Sequence, residues 1–205
     1  MPDRGPQPKR GRKYEQVLDG ARQVFLSDGF EGGAVDDIAK AAGVSKATIY
    51  SYFPDKRLLF VEVARRQCKL QAEHALSTLD MDTDAPDFLR ALAVELIAFI
   101  TSDFGKSVFR TFVAESDRFP DLGRQFYESG TLVAQNGLVT YLRKAAARGE
   151  VRIDDFDLAA QQFYHLCKVD IFERAIFNMA EDFTVSEKDR VIEGAVAMFL
   201  ARYGT

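Results

Sequence analysis

Cysteine is scarce in this chain: Cys68 and Cys167 are the only two among 205 residues, with no CxxC pair, which excludes a disulfide framework and a cysteine metal clip. The pair fits a reducing cytosol. Each thiol reads as a small buried hydrophobe, with a redox sensor as the other reading. Histidine is as rare, and His74 and His165 lie far apart with no HExxH, GxSxG or P-loop spacing beside them. An enzyme is therefore not expected, nor a cofactor or a metal. Long apolar runs are missing too: the longest, from Phe88 to Ile100, is broken by Arg90 and Glu95 and is too short for a bilayer. The N-terminus has no apolar segment of signal-peptide type, so the protein is expected in the cytoplasm, without membrane contact. Sustained two-residue alternation is absent as well, which argues against a sheet, and no internal repeat occurs. What remains is a chain that is 47% hydrophobic, enough to bury one sizeable core or a small domain joined to a larger one.

The most informative stretch runs from Val35 to Phe53 and reads as two short helices around a glycine turn, the pattern of a helix-turn-helix. Asp36 and Asp37 suit the positive end of a first helix, whose apolar face is Ile38, Ala39 and Ala42. Gly43 stops it, because glycine adopts the left-handed conformation that a tight turn requires, and Val44 plugs the angle. Ser45 is a good N-cap for a second helix. Within that helix Ile49 and Phe53 lie four apart and pack inward, leaving Lys46, Ala47, Thr48, Tyr50, Ser51 and Tyr52 on the remaining surface. Lysine, hydroxyls and tyrosine suit a groove lined by phosphates and base edges, so double-stranded DNA is the expected partner. Pro54 ends the helix, and Asp55 caps a following one that begins near Lys56.

These residues resemble a known family. Gly29-Phe30, Val35 to Ala39, Ala42 to Lys46, Thr48-Ile49-Tyr50, Tyr52-Phe53, Asp55-Lys56 and Leu58-Leu59 look like the DNA-binding domain of the TetR/AcrR transcriptional regulators, over roughly residues 12 to 60. Glu115 to Leu122, Phe126 to Glu128 and Arg148 to Glu150 resemble the C-terminal domain of the AefR-like branch. The resemblance implies that Lys46 contacts base edges or nearby phosphate, that Ala47 approaches a thymine methyl, and that Thr48, Tyr50, Tyr52 and Lys56 serve phosphate, with Tyr50 also touching bases. In one departure, Gly33-Ala34 stands where the family usually carries a threonine that caps the helix and touches phosphate.

Net charge is −4, yet its distribution favours DNA: residues through Arg66 carry 12 basic and 9 acidic side chains, the remainder 15 and 22. Arg4, Lys9, Arg10, Arg12 and Lys13 make residues 1–13 a basic arm, read either as a backbone or minor-groove contact or as a solubilising tail. A first helix from Tyr14 to Gly29 should pack behind the motif, giving a three-helix domain over 14–60. The rest, 61–205, reads as a larger helical bundle. A long helix runs from Lys56 to Leu79, and others span 87–103, 106–118, 120–148, 156–178 and 186–203, with breaks at Gly105 and Phe119-Pro120. The expected fold is thus all-α, with about nine helices.

Phenylalanine is abundant in the bundle, at 99, 104, 109, 112, 119, 126, 163, 172 and 177. Rings at helical spacing fill a core; the family resemblance adds the alternative that Phe99, Phe109, Phe112, Phe126, Tyr127 and Phe163 line a site for a small, largely apolar effector. Gln162 and His165 offer polar contacts there, although a lone histidine among apolar residues more often belongs to a core. The last two helices, through Leu158, Leu166, Val169 and Met198, carry more apolar surface than one bundle needs, and the resemblance implies a homodimer there. Two recognition helices about 34–36 Å apart would read a palindromic operator. The implied mechanism is a repressor released from its operator by the effector; a DNA-binding regulator without an effector is the alternative.

Overall fold

The computed structural model describes residues 11–117, 124, 127–180 and 182–205. It is all-α, with ten α-helices and no named strand among the described residues. The chain divides into two compact units, one ending at Arg66 and the other running from Gln67 to Thr205.

In the first unit, α1 (Arg12–Gly32), α2 (Val35–Ala42) and α3 (Lys46–Tyr52) are followed by the start of α4 (Lys56–Thr78). Arg12 and Lys13, read above as part of the arm, form the first turn of α1; Arg4, Lys9 and Arg10 lie outside the described residues. The expected stop at Gly29 is a real break, with φ +70°, after which one more turn runs to Gly32. Val17, Leu18, Ala21 and Phe25 are buried along one face of α1. Phe25 meets Phe60 edge to face at 5.1 Å, and Phe30 lies 5.0 Å from Phe60. Such rings remove large apolar areas from water and fix their mutual angle.

The second unit takes the remainder of α4, then α5 (Ala85–Thr101), α6 (Asp103–Glu115), a π-helical turn (Tyr127–Thr131), α7 (Leu132–Ala147), α8 (Phe156–Leu166), α9 (Ile171–Ile176) and α10 (Val185–Tyr203). Its core joins Phe88, Leu89, Leu138, Tyr141, Leu142, Phe163, Val196 and Phe199. Phe88 stacks on Tyr141, whose hydroxyl donates to the Thr83 carbonyl at 2.8 Å. Val151 and Gly204 form an isolated antiparallel bridge, and Arg152 N–H donates to the Tyr203 carbonyl at 2.7 Å. No helix among the described residues is long and apolar enough to cross a membrane.

Three sequence expectations change here. The break placed at Gly105 falls at Ser102, whose hydroxyl accepts the Gly105 N–H at 3.0 Å; Gly105 sits inside α6 because a Cβ there would lie 2.1 Å from the Phe99 carbonyl oxygen. The single helix expected over 156–178 is two, since Asp170 takes φ +66° and its carboxylate accepts from Arg190 at 2.7 Å and Arg174 at 3.4 Å. Within the helix expected over 120–148, the α-helical part begins at Leu132, behind the π turn. The break at Phe119-Pro120 lies outside the described residues.

Candidate nucleic-acid interface

The short helices of the first unit are held by local chemistry. Gly43 adopts φ +63°, ψ +35° and closes α2 with its N–H on the Ala39 and Lys40 carbonyls. Ser45 then caps α3, its hydroxyl accepting the Thr48 N–H at 3.2 Å. Ala34, before α2, gives no side-chain cap, as its lack of a hydroxyl requires. Asp55 accepts the Arg57 N–H at 2.8 Å and opens α4.

Ile49 and Phe53 are buried, so the outward side of α3 is fixed. Lys46, Ala47, Tyr50 and Ser51 are exposed on it, at the i, i+1, i+4, i+5 spacing of one helical face. Tyr50 is the largest of these, with 48% of its surface in solvent. Ser51 donates its hydroxyl proton to the Thr48 carbonyl at 2.7 Å, which leaves that oxygen as an acceptor only. Thr48 and Tyr52 flank the face half-buried; Tyr52 sets its ring edge to face with Tyr14 at 5.5 Å, while Phe53 stacks on the same Tyr14 at 5.4 Å. Lys56, half-buried at the start of α4, donates to the Glu31 carbonyl at 3.3 Å with its ammonium 4.8 Å from the Phe30 ring centre. Thus four of the seven expected DNA-contact residues share one open face, and three sit at its margin.

The charge around this face is organised by ion pairs. Asp36 hydrogen-bonds the Lys46 ammonium, which raises the lysine's pKa. This contact was not read from the sequence, where Asp36 figured only as a helix-dipole group; the ten-residue spacing across a glycine turn is the signal that could have found it. Behind the face, Arg66 binds Glu15 at 2.6 Å and Glu62 at 3.2 Å, and the Glu15 hydrogen bond does most to raise its pKa. Burial works to raise the Glu62 pKa, but hydrogen bonds from Arg65 and Arg66 prevail and lower it.

In the second unit, the five described residues among the six read as effector lining stand in different surroundings. Phe163 has no exposed surface and meets Phe199 edge to face at 5.4 Å; Phe112 is buried, Phe99 and Phe109 are half-buried, and Tyr127 is exposed. Phe109 faces Phe172 at 4.8 Å, and Tyr127 donates to Gln135 Oε1 at 3.3 Å. Phe126 lies outside the described residues. Between α8 and α10 runs an open groove of about 420 Å³, lined by Gln162, His165, Leu166, Val169, Met198, Phe199, Arg202 and Tyr203. Its floor is tied by the Tyr203 hydroxyl donating to Gln162 Oε1 at 2.6 Å, and Val169 and Met198 stand exposed on its walls. Ala159, Val191, Ile192, Ala195 and Val196, apolar residues of the same two helices, are instead buried in the chain's own core.

Known proteins resemble this chain in sequence and fold. Residues 17–63 match the family model of bacterial regulatory proteins, tetR family, and residues 87–205 match that of the AefR-like transcriptional repressor C-terminal domain. The HTH-type transcriptional activator FasR of Mycolicibacterium smegmatis is 32% identical over 100 residues, 49% of this chain and 46% of that protein, so the match spans about half the relative's length. A crystal structure of a TetR-family transcriptional regulator from Mesorhizobium loti superposes with a TM-score of 0.81 at 30% identity, covering 97% of this chain and 100% of that one. The flavonoid-responsive regulator FrrA gives a TM-score of 0.71 at 33% identity, covering 95% and 98%.

Proposed function

Because the chain belongs to the TetR family of bacterial transcriptional regulators, we propose that it is a homodimeric repressor that binds a palindromic DNA operator in the cytoplasm and is released by a small, largely apolar effector. The observation that carries the DNA-binding part is the open face of α3, where Lys46, Ala47, Tyr50 and Ser51 project together over the buried Ile49 and Phe53. Lys46 is assigned to a base edge or nearby phosphate, Ala47 to a thymine methyl, and Thr48, Tyr50, Tyr52 and Lys56 to phosphates. Ser51, with its proton committed, accepts from a base amino group.

A seven-residue helix reads few base pairs, so a second copy is needed for affinity, and a two-fold dimer supplies it. The groove between α8 and α10 supports that role: it is apolar, open and flanked by Val169 and Met198. Repression is supported by the match to the AefR-like repressor domain, and an effector by the 33% identity to a flavonoid-responsive regulator, which makes flavonoids the first compounds to titrate. Phe99, Phe109, Phe112, Phe126 and Tyr127 are its proposed lining. One observation favours the alternative of a regulator without effector: Phe163 is wholly used in the core against Phe199.

The test is direct. Duplexes selected from genomic fragments by the purified protein are titrated with wild type, Lys46→Ala and Tyr50→Ala. Each substitution is expected to weaken binding about tenfold with the melting temperature unchanged. Full affinity in a correctly folded variant rejects the assignment.

A further inference from the structure

Asp36 and Lys46 approach to 2.5 Å across the Gly43 turn while both side chains stay largely in solvent, 70% and 53% exposed. Burial does not force this pair together. Asp36 stands in the first turn of α2, at the positive end of the helix dipole and beside the proposed reading face.

An ammonium has three donors, and one can stay on Asp36 while another reaches DNA. What the second donor meets then decides the energetics. A backbone phosphate would put a second anion on the same ammonium, and carboxylate and phosphate would repel each other across a few ångströms. Guanine O6 or N7 is a neutral acceptor, and it can share the ammonium with Asp36 without that repulsion. Arbitrary DNA offers Lys46 mainly phosphate, whereas an operator can place a base acceptor within its reach.

We propose that Asp36 is a specificity-determining residue, which biases Lys46 away from phosphates and toward neutral base-edge acceptors, so lowering non-specific binding more than operator binding. The inference rests on the DNA-binding reading above. It assigns to Asp36 a role in sequence discrimination beyond its favourable place at the start of α2.

The experiment is a double-mutant cycle on the full chain with wild type, Asp36→Asn, Lys46→Ala and the double variant. The probes are a duplex that the wild-type protein selects from a random pool and a scrambled duplex of the same length and base composition. Asp36→Asn is expected to tighten the scrambled duplex about three- to fivefold, the range of an exposed ion pair, and the selected duplex less than about twofold. In the Lys46→Ala background the same change is expected to shift both duplexes equally, because only general charge repulsion is left. Equal tightening of both duplexes with Lys46 present, or no tightening of either, overturns the proposal while leaving DNA binding intact. A wild-type protein that selects no duplex removes the DNA-binding reading and this inference together.

Discussion

Gly20 in α1 and Gly194 in α10 are each expected to respond to alanine, but with opposite sign. At Gly20 an added Cβ would lie 2.6 Å from the Ala42 nitrogen, 2.7 Å from its Cβ and 2.8 Å from its Cα. Carbon atoms pack comfortably at about 3.5–4.0 Å, so α2 would have to retreat by about 1 Å. Two of the three obstructing atoms are backbone, which no rotamer change can move. Overpacking of this kind costs about 1–3 kcal/mol, and the upper half of that range applies here. Alanine's helix propensity returns about 1 kcal/mol, leaving a net loss of about 1–2 kcal/mol. At Gly194 no atom lies within 4 Å of the added Cβ, so only the propensity gain of about 0.5–1 kcal/mol remains. Because both changes remove a glycine from the unfolded chain, the difference between them isolates the contact with α2. The chain lacks tryptophan, so melting is followed by far-UV ellipticity. A chain of this length moves by about 2–4 °C per kcal/mol, so Gly20→Ala should melt about 2–8 °C below wild type. Ala42 immediately precedes the Gly43 turn, and its displacement should also reach α3 and weaken binding to a selected duplex. A Gly20→Ala protein as stable as Gly194→Ala, with undiminished DNA affinity, would refute the close packing of α1 on α2.

Three further outcomes are expected. Met198→Asp places a charge on the exposed wall of the α8–α10 groove and should convert the proposed dimer to monomer in sedimentation without lowering helicity; a dimer that persists in the variant would move the proposed interface elsewhere. Glu187 accepts the Thr184 N–H and hydroxyl and a hydrogen bond from Arg174, which lower its pKa from 4.5 to about 2. With the folded value depressed, its stabilisation is full above 4.5 and is lost as pH falls toward 2; melts of Glu187→Gln should be lower at neutral pH and flatter over that interval. Burial raises the Cys68 and Cys167 thiols to about 12, so both should resist an aromatic disulfide reagent at neutral pH until the protein unfolds; rapid labelling of the native chain would reopen the redox-sensor reading.

How much the sequence disclosed follows the range of the forces. Gly43, Ser45 and Asp55 act on groups within four residues, and the helix boundaries around α2 and α3 could be read from them. Ile49 and Phe53 were legible as inward residues because helical spacing leaves them no other side. Beyond that range the pattern failed. Asp170 breaks the expected 156–178 helix, and one of its partners, Arg190, lies twenty residues away. Gly105 looked like a helix breaker, whereas its place is set by the Phe99 carbonyl it must clear. Periodicity could not separate Phe163, which is consumed by the core, from Phe109, which stays half-buried against Phe172. Nor did it disclose that Asp36 reaches over a turn to Lys46.

The contacts of Tyr14 carry a consequence for local opening. A helix of seven residues hardly persists alone in water, so α3 depends on the groups that grip it. Tyr14, in the second residue pair of α1, holds both Tyr52 and Phe53 at its end. The amides of α3 should therefore exchange with deuterium in step with the first turns of α1, as one cooperative block, and not by independent fraying. On this account the proposed reading face keeps no clock of its own: it loosens when the start of α1 loosens.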